Sequence, residues 1–268
     1  MKTHLTVLML LLANLQAMAQ CRLVREESSD TSYTAYYTYD KWGKLISHKK
    51  VETYENKTTK SEFQYAYDSD GKVISLQQRN NDTLVRLRHF IYEKGIMTKF
   101  YSIVLEDTLK LYVVQLYYND RQQLIHTFSK ASKNDTMSID FEYAPEGWLK
   151  RRKQQGNTGS YISEISWNND EKIIDDPGRI LFAGYPTRLL SPYQTPTEPL
   201  SIKGNAKGWT HYTIDKDGKE TKTYQGEVFD VRANAEGLWL SSKYKNYDFT
   251  KNKETITTYR AFYEGCKN

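Results

Sequence analysis

Two stretches decide the fold: residues 39–45 read YDKWGKL, and residues 67–73 read YDSDGKV. In both, a tyrosine is followed by an aspartate and, four positions after the tyrosine, by a glycine. Aspartate favours a turn because its side chain accepts hydrogen bonds from the backbone ahead of it, and glycine supplies the positive φ that such a turn needs. An alternating run before the turn and an apolar residue after it predict a β-hairpin.

The same pattern recurs along the chain at a nearly constant interval. Weaker copies begin at Tyr92, Tyr118, Tyr143 and Trp167, and a further turn, DKDGK, occupies 215–219 after Ile214. We call these aromatic or apolar starting residues the anchor residues. Their spacings are 28, 25, 26, 25 and 24 residues, and the last spacing of 47 is close to two periods. A fixed period of this kind indicates a protein built from repeated supersecondary units.

The residues before each anchor alternate between apolar and polar. The apolar positions two before the anchors are Tyr37, Tyr65, Phe90, Leu116, Phe141, Ile165 and Tyr212. The positions one and three before are mostly polar and include His89 and His211, which we therefore place on the polar face. Period-two alternation predicts strands with one buried face. A second family of turns, such as Asn81-Asp82, falls half a period out of phase, so each repeat supplies two antiparallel strands.

Seven copies predict an all-β protein, an antiparallel meander of about 14 strands made from hairpin repeats of about 25 residues. Such a sheet cannot leave its apolar face in water, so it curls into a barrel-like shape or folds over on itself. Five of the six prolines lie in a segment at about 175–209, where a central strand cannot continue. We expect this insertion to cover an open end or edge of a single domain, 20–268; a linker between two domains is the alternative.

The N-terminus has the features of a secretory signal peptide over 1–19. A basic start at Lys2 precedes the apolar run 5–13, and small residues at Ala17 and Ala19 precede the expected cleavage site. The prediction is therefore an exported protein of the periplasm or cell surface. Alternatively, Cys21 is the lipidated first residue of a lipoprotein, although Gln20 stands where that signal prefers a small residue.

The charge and composition exclude several classes of protein. The net charge of +5 is small and spread over the chain, so it indicates neither a nucleic-acid partner nor an anionic membrane surface. The predicted membrane association, if any, is through lipidation of Cys21. Strand segments such as 47–50 and 86–88 carry charge near their middles, which disfavours a lipid-facing barrel.

The hairpin copies resemble YD repeats. The signal peptide, the degenerate hairpins and the proline-rich interruption before DKDGK together resemble a family of uncharacterised envelope proteins of Gram-negative bacteria that is described as having a porin-like fold. The resemblance covers about 31–225. It implies an all-β fold and an envelope location, and it implies no catalytic residues.

Three Asp-Thr-apolar sequences match an O-glycosylation acceptor used on envelope proteins by some of these bacteria. The acceptor residues would be Thr83, Thr108 and Thr136. A structural interpretation stands beside this one, because Asp-Thr suits a turn and the repeat itself generates three matches.

The sequence contains no nucleophile elbow, zinc-binding histidine pair, phosphate-binding loop or dinucleotide fingerprint. We therefore predict no catalytic residue, metal ligand or cofactor. The best carboxylate candidates for a glycosidase pair are Asp140, Glu142 and Glu164. The exposed aromatic residues best suited to stack on a sugar or contact a protein are Tyr36, Trp42, Tyr117 and Trp148, with packing against the sheet as the alternative.

These observations leave three hypotheses for function. The first is a non-enzymatic binding or structural module of the cell envelope, whose partner is a glycan or an envelope protein. The second is a carbohydrate-active enzyme or glycan-binding protein, and the third is an outer-membrane β-barrel.

The two cysteines, Cys21 and Cys266, stand at opposite ends of the exported chain. Cysteine pairs in oxidising compartments usually form disulfides. We therefore expect a Cys21–Cys266 bond that joins the first strand to the last, and lipidation of Cys21 would exclude it. A bridge that closes so long a loop stabilises the folded state by about 5 kcal/mol on the chain-entropy model.

Overall fold

The computed structural model describes residues 22–54, 56–105, 110–132, 135–145, 149–157, 159–167, 206–233 and 239–265. These residues form sixteen β-strands, and none of the described ranges contains a helix. The first eight strands are β1 Arg22–Ser28, β2 Tyr33–Tyr39, β3 Leu45–Tyr54, β4 Lys57–Tyr67, β5 Val73–Asn80, β6 Thr83–Glu93, β7 Ile96–Val104 and β8 Lys110–Tyr118. The other eight are β9 Leu124–Ser132, β10 Asp135–Tyr143, β11 Leu149–Gly156, β12 Gly159–Trp167, β13 Ala206–Ile214, β14 Glu220–Ala233, β15 Trp239–Asp248 and β16 Lys253–Glu264.

Each strand pairs antiparallel with its neighbours in sequence, and β1 pairs with β16, so the meander closes into a barrel. The predicted all-β antiparallel meander is confirmed. Closure removes both edges of the sheet and turns its apolar face away from water. There are sixteen strands rather than about 14, because β1 and the hairpin β15–β16 carry no recognisable copy of the anchor motif.

Several predictions fall wholly or partly outside the described residues. These are the signal peptide 1–19, both cysteines and most of the proline-rich insertion; the last four residues of that insertion, 206–209, instead begin β13. The register partners Arg22 and Glu264 lie one and two positions from Cys21 and Cys266. The register of the closing strands is therefore compatible with the expected disulfide, which stays a prediction.

The inner wall of the barrel is the face that carries the nearly inaccessible side chains. Five of the apolar residues predicted two positions before an anchor are buried, with exposed fractions of 3–9%: Tyr37, Tyr65, Phe90, Leu116 and Phe141. They join one continuous core cluster, against which the anchor tyrosines pack. The period-two alternation thus separates inner from outer residues along β2, β4, β6, β8 and β10.

The tight turns repeat one geometry. In the first, the Asp40 N–H donates to the Lys44 carbonyl at 2.8 Å, and the Asp40 carboxylate accepts from the Trp42 and Lys44 N–H groups. Gly43 has a φ of 89°, the left-handed conformation that glycine adopts most easily. In the turn 119–123, Gln122 takes the same place with a φ of 61°. The hydrogen bonds accepted by the Asp or Asn side chain at the start of the turn therefore determine this turn even where glycine is missing.

Each anchor tyrosine closes a gap between two strands. In the pairs β1–β2, β3–β4, β5–β6, β7–β8 and β9–β10, regular pairing ends three residues before the anchor. The anchor hydroxyl donates across this gap to a backbone carbonyl of the preceding strand, at 2.6–3.1 Å. The five bonds join Tyr39 to Leu23, Tyr67 to Leu45, Tyr92 to Val73, Tyr118 to Met97 and Tyr143 to Leu124.

The anchor residues also coincide with breaks in the strand register. Opposite each of the five anchor tyrosines, and opposite Trp167, the strand that follows carries one extra residue, so the register shifts there as a β-bulge. Bulges bend a strand and increase its twist. The repeat therefore places the bend and the bridging hydroxyl together at one end of the barrel, which we call the anchor rim; the other end is the opposite rim.

The last copy of the motif differs from the prediction. Because β13 runs from the anchor rim to the opposite rim, the turn 215–219 lies at the opposite rim, out of phase with the earlier copies. The faces are exchanged as well: His211 pairs with Ser163 on the inner wall, whereas Tyr212 reaches the outer-wall Glu164. β13 pairs with β12 without a break from Ile214 to Gly208, so the insertion before β13 is what separates His211 and Tyr212 from the alternation of the earlier copies.

We predict that Tyr67→Phe lowers the free energy of unfolding by about 1 kcal/mol, because the Leu45 carbonyl loses its bridging donor while the ring still packs. Urea unfolding of the purified protein measures this. Tyr36→Phe is the matched control, since Tyr36 is 51% exposed on the outer wall, and its stability should stay within about 0.5 kcal/mol of wild type. Equal stability of the two variants would contradict a role for the hydroxyl.

Candidate functional site

The predicted binding aromatics do not come together in one place. Tyr36 lies on the outer face of β2, and Trp42 is 71% exposed at a hairpin tip, where the Lys41 ammonium lies 4.2 Å from its ring centroid. Tyr117 lies on the outer face of β8 and is 45% exposed. Trp148 lies outside the described residues. The three described side chains therefore do not form a single aromatic surface.

Tyr117 is nevertheless part of a polar cluster that crosses three strands. Tyr117, His126 and Asp140 are successive register partners on β8, β9 and β10. The Tyr117 and His126 rings lie 5.5 Å apart, and His126 Nδ1 lies 2.6 Å from Asp140 Oδ1. The Tyr117 hydroxyl donates to the side chain of Gln115 at 2.9 Å. We call Tyr117, His126 and Asp140 the outer-wall cluster.

The outer-wall cluster has the chemistry of a surface binding site. A tyrosine ring supplies an apolar face for stacking, and the neighbouring carboxylate and imidazole supply hydrogen-bonding groups beside it. The side chains of His126 and Asp140 are 34% and 48% exposed, so a ligand in solution can reach both. The strands hold the three side chains in a fixed row. This arrangement suits recognition of a polar molecule with a flat apolar face, such as a sugar ring.

Two of the candidate glycosidase carboxylates flank an arginine. Glu142 and Glu164 are the two register partners of Arg151, which lies between them on the outer wall. The Arg151 guanidinium lies 3.8 Å from Glu164 and 2.7 Å from Glu220. Arg151, Glu164 and Glu220 therefore form an ion-pair network.

A second polar group lies on the inner wall and was not predicted. Arg152, Ser163 and His211 are successive register partners on β11, β12 and β13, and Ser163 Oγ lies 2.8 Å from His211 Nδ1. Burial, together with the charge of Arg152, lowers the pKa of His211 to about 4. Among the described residues, no carboxylate hydrogen bonds to His211. The imidazole is therefore a weak base with no orienting acid, and the pair is better suited to structure than to nucleophilic catalysis.

His48 is the most deeply buried histidine in the described part of the chain, at 3% exposed. Its ring stacks on Phe63 with a centroid separation of 4.3 Å, and Nδ1 lies 2.9 Å from the Tyr65 hydroxyl. Burial is the main cause that lowers its pKa to about 3, and the charge of Lys50 adds to it. His48 is therefore neutral at physiological pH and belongs to the core.

The inner wall also buries a carboxylate. Glu26 is 2% exposed and accepts hydrogen bonds from the hydroxyls of Tyr33 at 3.3 Å and Tyr37 at 2.6 Å. Burial raises the pKa of Tyr37 well above its ordinary value, and the Glu26 charge acts in the same direction. Tyr37 therefore stays protonated and remains a donor. Because β1 carries Glu26 and β2 carries both tyrosines, this network joins β1, one strand of the closing pair β1–β16, to its other neighbour β2.

The remaining predicted sites are dispersed. Thr83 is exposed at the start of β6, Thr136 is half-buried on β10, and Thr108 lies outside the described residues. Of the described residues, no group of three or more His, Cys, Asp or Glu side chains is arranged to hold a metal ion. No helix within the described ranges is long and apolar enough to cross a membrane.

We predict that the stability of the fold decreases as the pH falls below about 6.5, because His48 is neutral when folded and takes up a proton on unfolding. Between pH 7 and pH 5 this one residue accounts for about 2 kcal/mol. His48→Phe keeps a stacked ring and should reduce the difference between the two pH values by that amount. Chemical unfolding at both pH values provides the measurement. His89→Phe, at an exposed outer position, should leave the difference unchanged, and equal behaviour of the two variants would contradict the assignment.

The barrel resembles solved structures of two bacterial proteins. One is a porin-like protein from Bacteroides uniformis ATCC 8492, 13% identical, with a TM-score of 0.54 over 90% of this chain and 98% of that chain. The other is a porin-like protein from Bacteroides vulgatus ATCC 8482, 10% identical, with a TM-score of 0.41 over 91% and 98% of the two chains. No family model and no curated protein matches the chain, so the resemblance to YD repeats stays a prediction. The likeness to the Bacteroides uniformis protein shows that this chain has a porin-like β-barrel fold.

Proposed function

We propose that this chain is an exported, non-enzymatic module of the cell envelope that binds a partner through the water-facing outer wall of its barrel. The observation that carries the proposal is the charge on that wall. Lys49 on β3 and Glu62 on β4 form an ion pair of 3.5 Å, and Lys245 on β15 and Glu254 on β16 form one of 2.9 Å. Three of these four residues lie well inside their strands, away from the turns.

A lipid-facing barrel needs an outward apolar band about 25 Å tall, and a lysine or arginine near the bilayer midplane costs about 2–4 kcal/mol. The outer wall also carries the Lys243–Asp230 pair at 2.7 Å and the Arg151 network. Because the outer wall carries several such charges, their combined cost would make insertion of the barrel into a bilayer unfavourable. The distribution of charge therefore supports a barrel surrounded by water, and the outer-membrane barrel becomes the alternative for the experiment to reject.

Glycan binding is the second candidate, and the outer-wall cluster favours it. An exposed tyrosine beside a paired imidazole and carboxylate lies in one row on β8–β10, and none of the three side chains belongs to the inner core. The porin-like description of the structural relative is consistent with an envelope location, where glycans are abundant. The glycosylation of Thr83, Thr108 and Thr136 and the lipidation of Cys21 remain proposals of the same kind.

We predict that residues 20–268 remain in the supernatant after ultracentrifugation in detergent-free buffer and do not float with liposomes, because the outer wall is charged. The full chain expressed in a Gram-negative host should be found in the envelope, with its new N-terminus at Gln20. Recovery only in detergent, or flotation with liposomes, would support the membrane-barrel alternative instead.

We further predict that a glycan array detects binding and that Tyr117→Ala weakens it about tenfold, since the stacking surface is removed. Asp140→Asn should weaken binding less, because it keeps the shape of the side chain and loses only its charge. Tyr36→Ala removes an equally exposed tyrosine from β2 and serves as the control. Binding that is unchanged in Tyr117→Ala, or absent from the wild type, would rule out the outer-wall cluster as a glycan site.

A further inference from the structure

The barrel wall is not closed between β8 and β9 at the opposite rim. The last register pair of these strands is Val113 with Lys130. Beyond it, Lys110–Tyr112 pair with β7 alone, and Ala131 has no register partner on β8. Within the described residues, the edges of both strands therefore present backbone groups to each other without pairing.

At the other strand pairs that open toward this rim, one strand ends at the last register pair and only its partner continues, as at β4–β5 and β14–β15. Backbone hydrogen bonds extend the pairing there by one residue. The Asn81 N–H donates to the Lys60 carbonyl at 2.7 Å, beyond the last pair of β4 and β5. Likewise, the Leu105 N–H donates to Val85 at 2.9 Å between β6 and β7, and the Phe249 N–H donates to Thr223 at 3.0 Å between β14 and β15. The separation of β8 from β9 is therefore a local feature and not a property of the rim.

A cleft of about 690 Å³ occupies this position. Its lining comes from the two separated strands and the start of β10: Lys110, Leu111, Val113, Lys130, Ala131, Ser132 and Asp135. Leu111 is 48% exposed there, which is unusual for a leucine within a strand. The volume falls in the range of sites that bind ligands.

The inner side of the cleft is held by Asp135. Its carboxylate accepts a hydrogen bond from the Tyr112 hydroxyl at 3.0 Å and lies 3.5 Å from the Lys110 ammonium. These contacts join β8 to β10 at the level of Ser132, which is the register partner of Asp135 and the last residue of β9. On the outer side, Lys130 is exposed and takes part in no ion pair within the described residues.

We propose that this cleft binds an extended peptide segment of a partner protein by strand addition. Exposed strand edges bind peptides through main-chain hydrogen bonds, and pockets for alternate side chains give specificity. The segment would run between β8 and β9, with outward side chains against Leu111 and Lys130. The peptide that fits has an apolar side chain to contact Leu111 and an acidic side chain to pair with Lys130. These side chains alternate with others that face the barrel interior.

The peptide-binding cleft names a partner class for the proposed binding module and rests on that proposed function. The two proposals can fail separately. Flotation with liposomes tests whether the outer wall faces water, whereas peptide binding is measured on the purified chain in solution. A second copy of this chain is the competing occupant, and sedimentation distinguishes it from a foreign peptide.

The experiment uses residues 20–268 and a fluorescent probe peptide of alternating valine and glutamate, five residues long and blocked at both ends. Hydrogen exchange followed by mass spectrometry should show rapid exchange in the free protein at those amides of 110–112 and 131–132 that are not bonded to β7 or β10, and slower exchange with the probe. Lys130→Glu should weaken probe binding about fivefold, since it replaces an attractive charge with a repulsive one. Lys99→Glu, an outward lysine on β7, is the matched control and should not change it.

A probe with its central valine replaced by proline tests the main-chain contacts directly, because proline cannot donate a hydrogen bond. We expect it to bind at least about tenfold more weakly. Protection of the same amides without probe, together with a dimer in sedimentation, would assign the cleft to a second copy and overturn the proposal. Equal binding of the proline peptide, or no protection by the probe, would also overturn it.

Discussion

The bond between each anchor hydroxyl and the carbonyl of the neighbouring strand is the contact on which the barrel depends. Bulges at the anchor rim bend the strands, and regular pairing stops three residues before each anchor. Without a donor there, buried carbonyls such as that of Leu45 would be left unsatisfied, at a cost of about 1–3 kcal/mol each. Because five tyrosines make the same bond, the wall can bend without exposing its backbone.

This constraint also explains the division between the two faces. A tyrosine that reaches a carbonyl must lie along the inner wall, so its ring covers the core while its hydroxyl remains hydrogen-bonded. Polar groups on the inner wall can then pair with tyrosine hydroxyls, as with Glu26 and Tyr37 or His48 and Tyr65. The outer wall carries ion pairs whose side chains are exposed. The single sheet therefore packs through one face and leaves the other free for the partner that we propose.

The sequence predicts the fold wherever the repeat is intact. The buried residues two before an anchor, from Tyr37 to Phe141, follow from period two alone, and the turn at Asp40 follows from its Asp and Gly. The turn at Gln122 keeps the geometry without glycine, so its weaker motif still marks a hairpin. The face of His211 was predicted wrongly, because an insertion of unknown phase separates it from the earlier anchors. The sequence pattern does not show whether such a segment shifts the period-two alternation by an odd or an even number of residues.

The candidate sites are less predictable for a related reason. Tyr117 was identified as an exposed aromatic, but its partners His126 and Asp140 come from other strands, and only the cross-strand register brings them together. The cleft between β8 and β9 has no sequence signal, since it arises where one register ends early. The exposed Leu111 and the strand edges that lack register partners are visible only in the folded barrel, and they are the features on which the peptide-binding proposal rests.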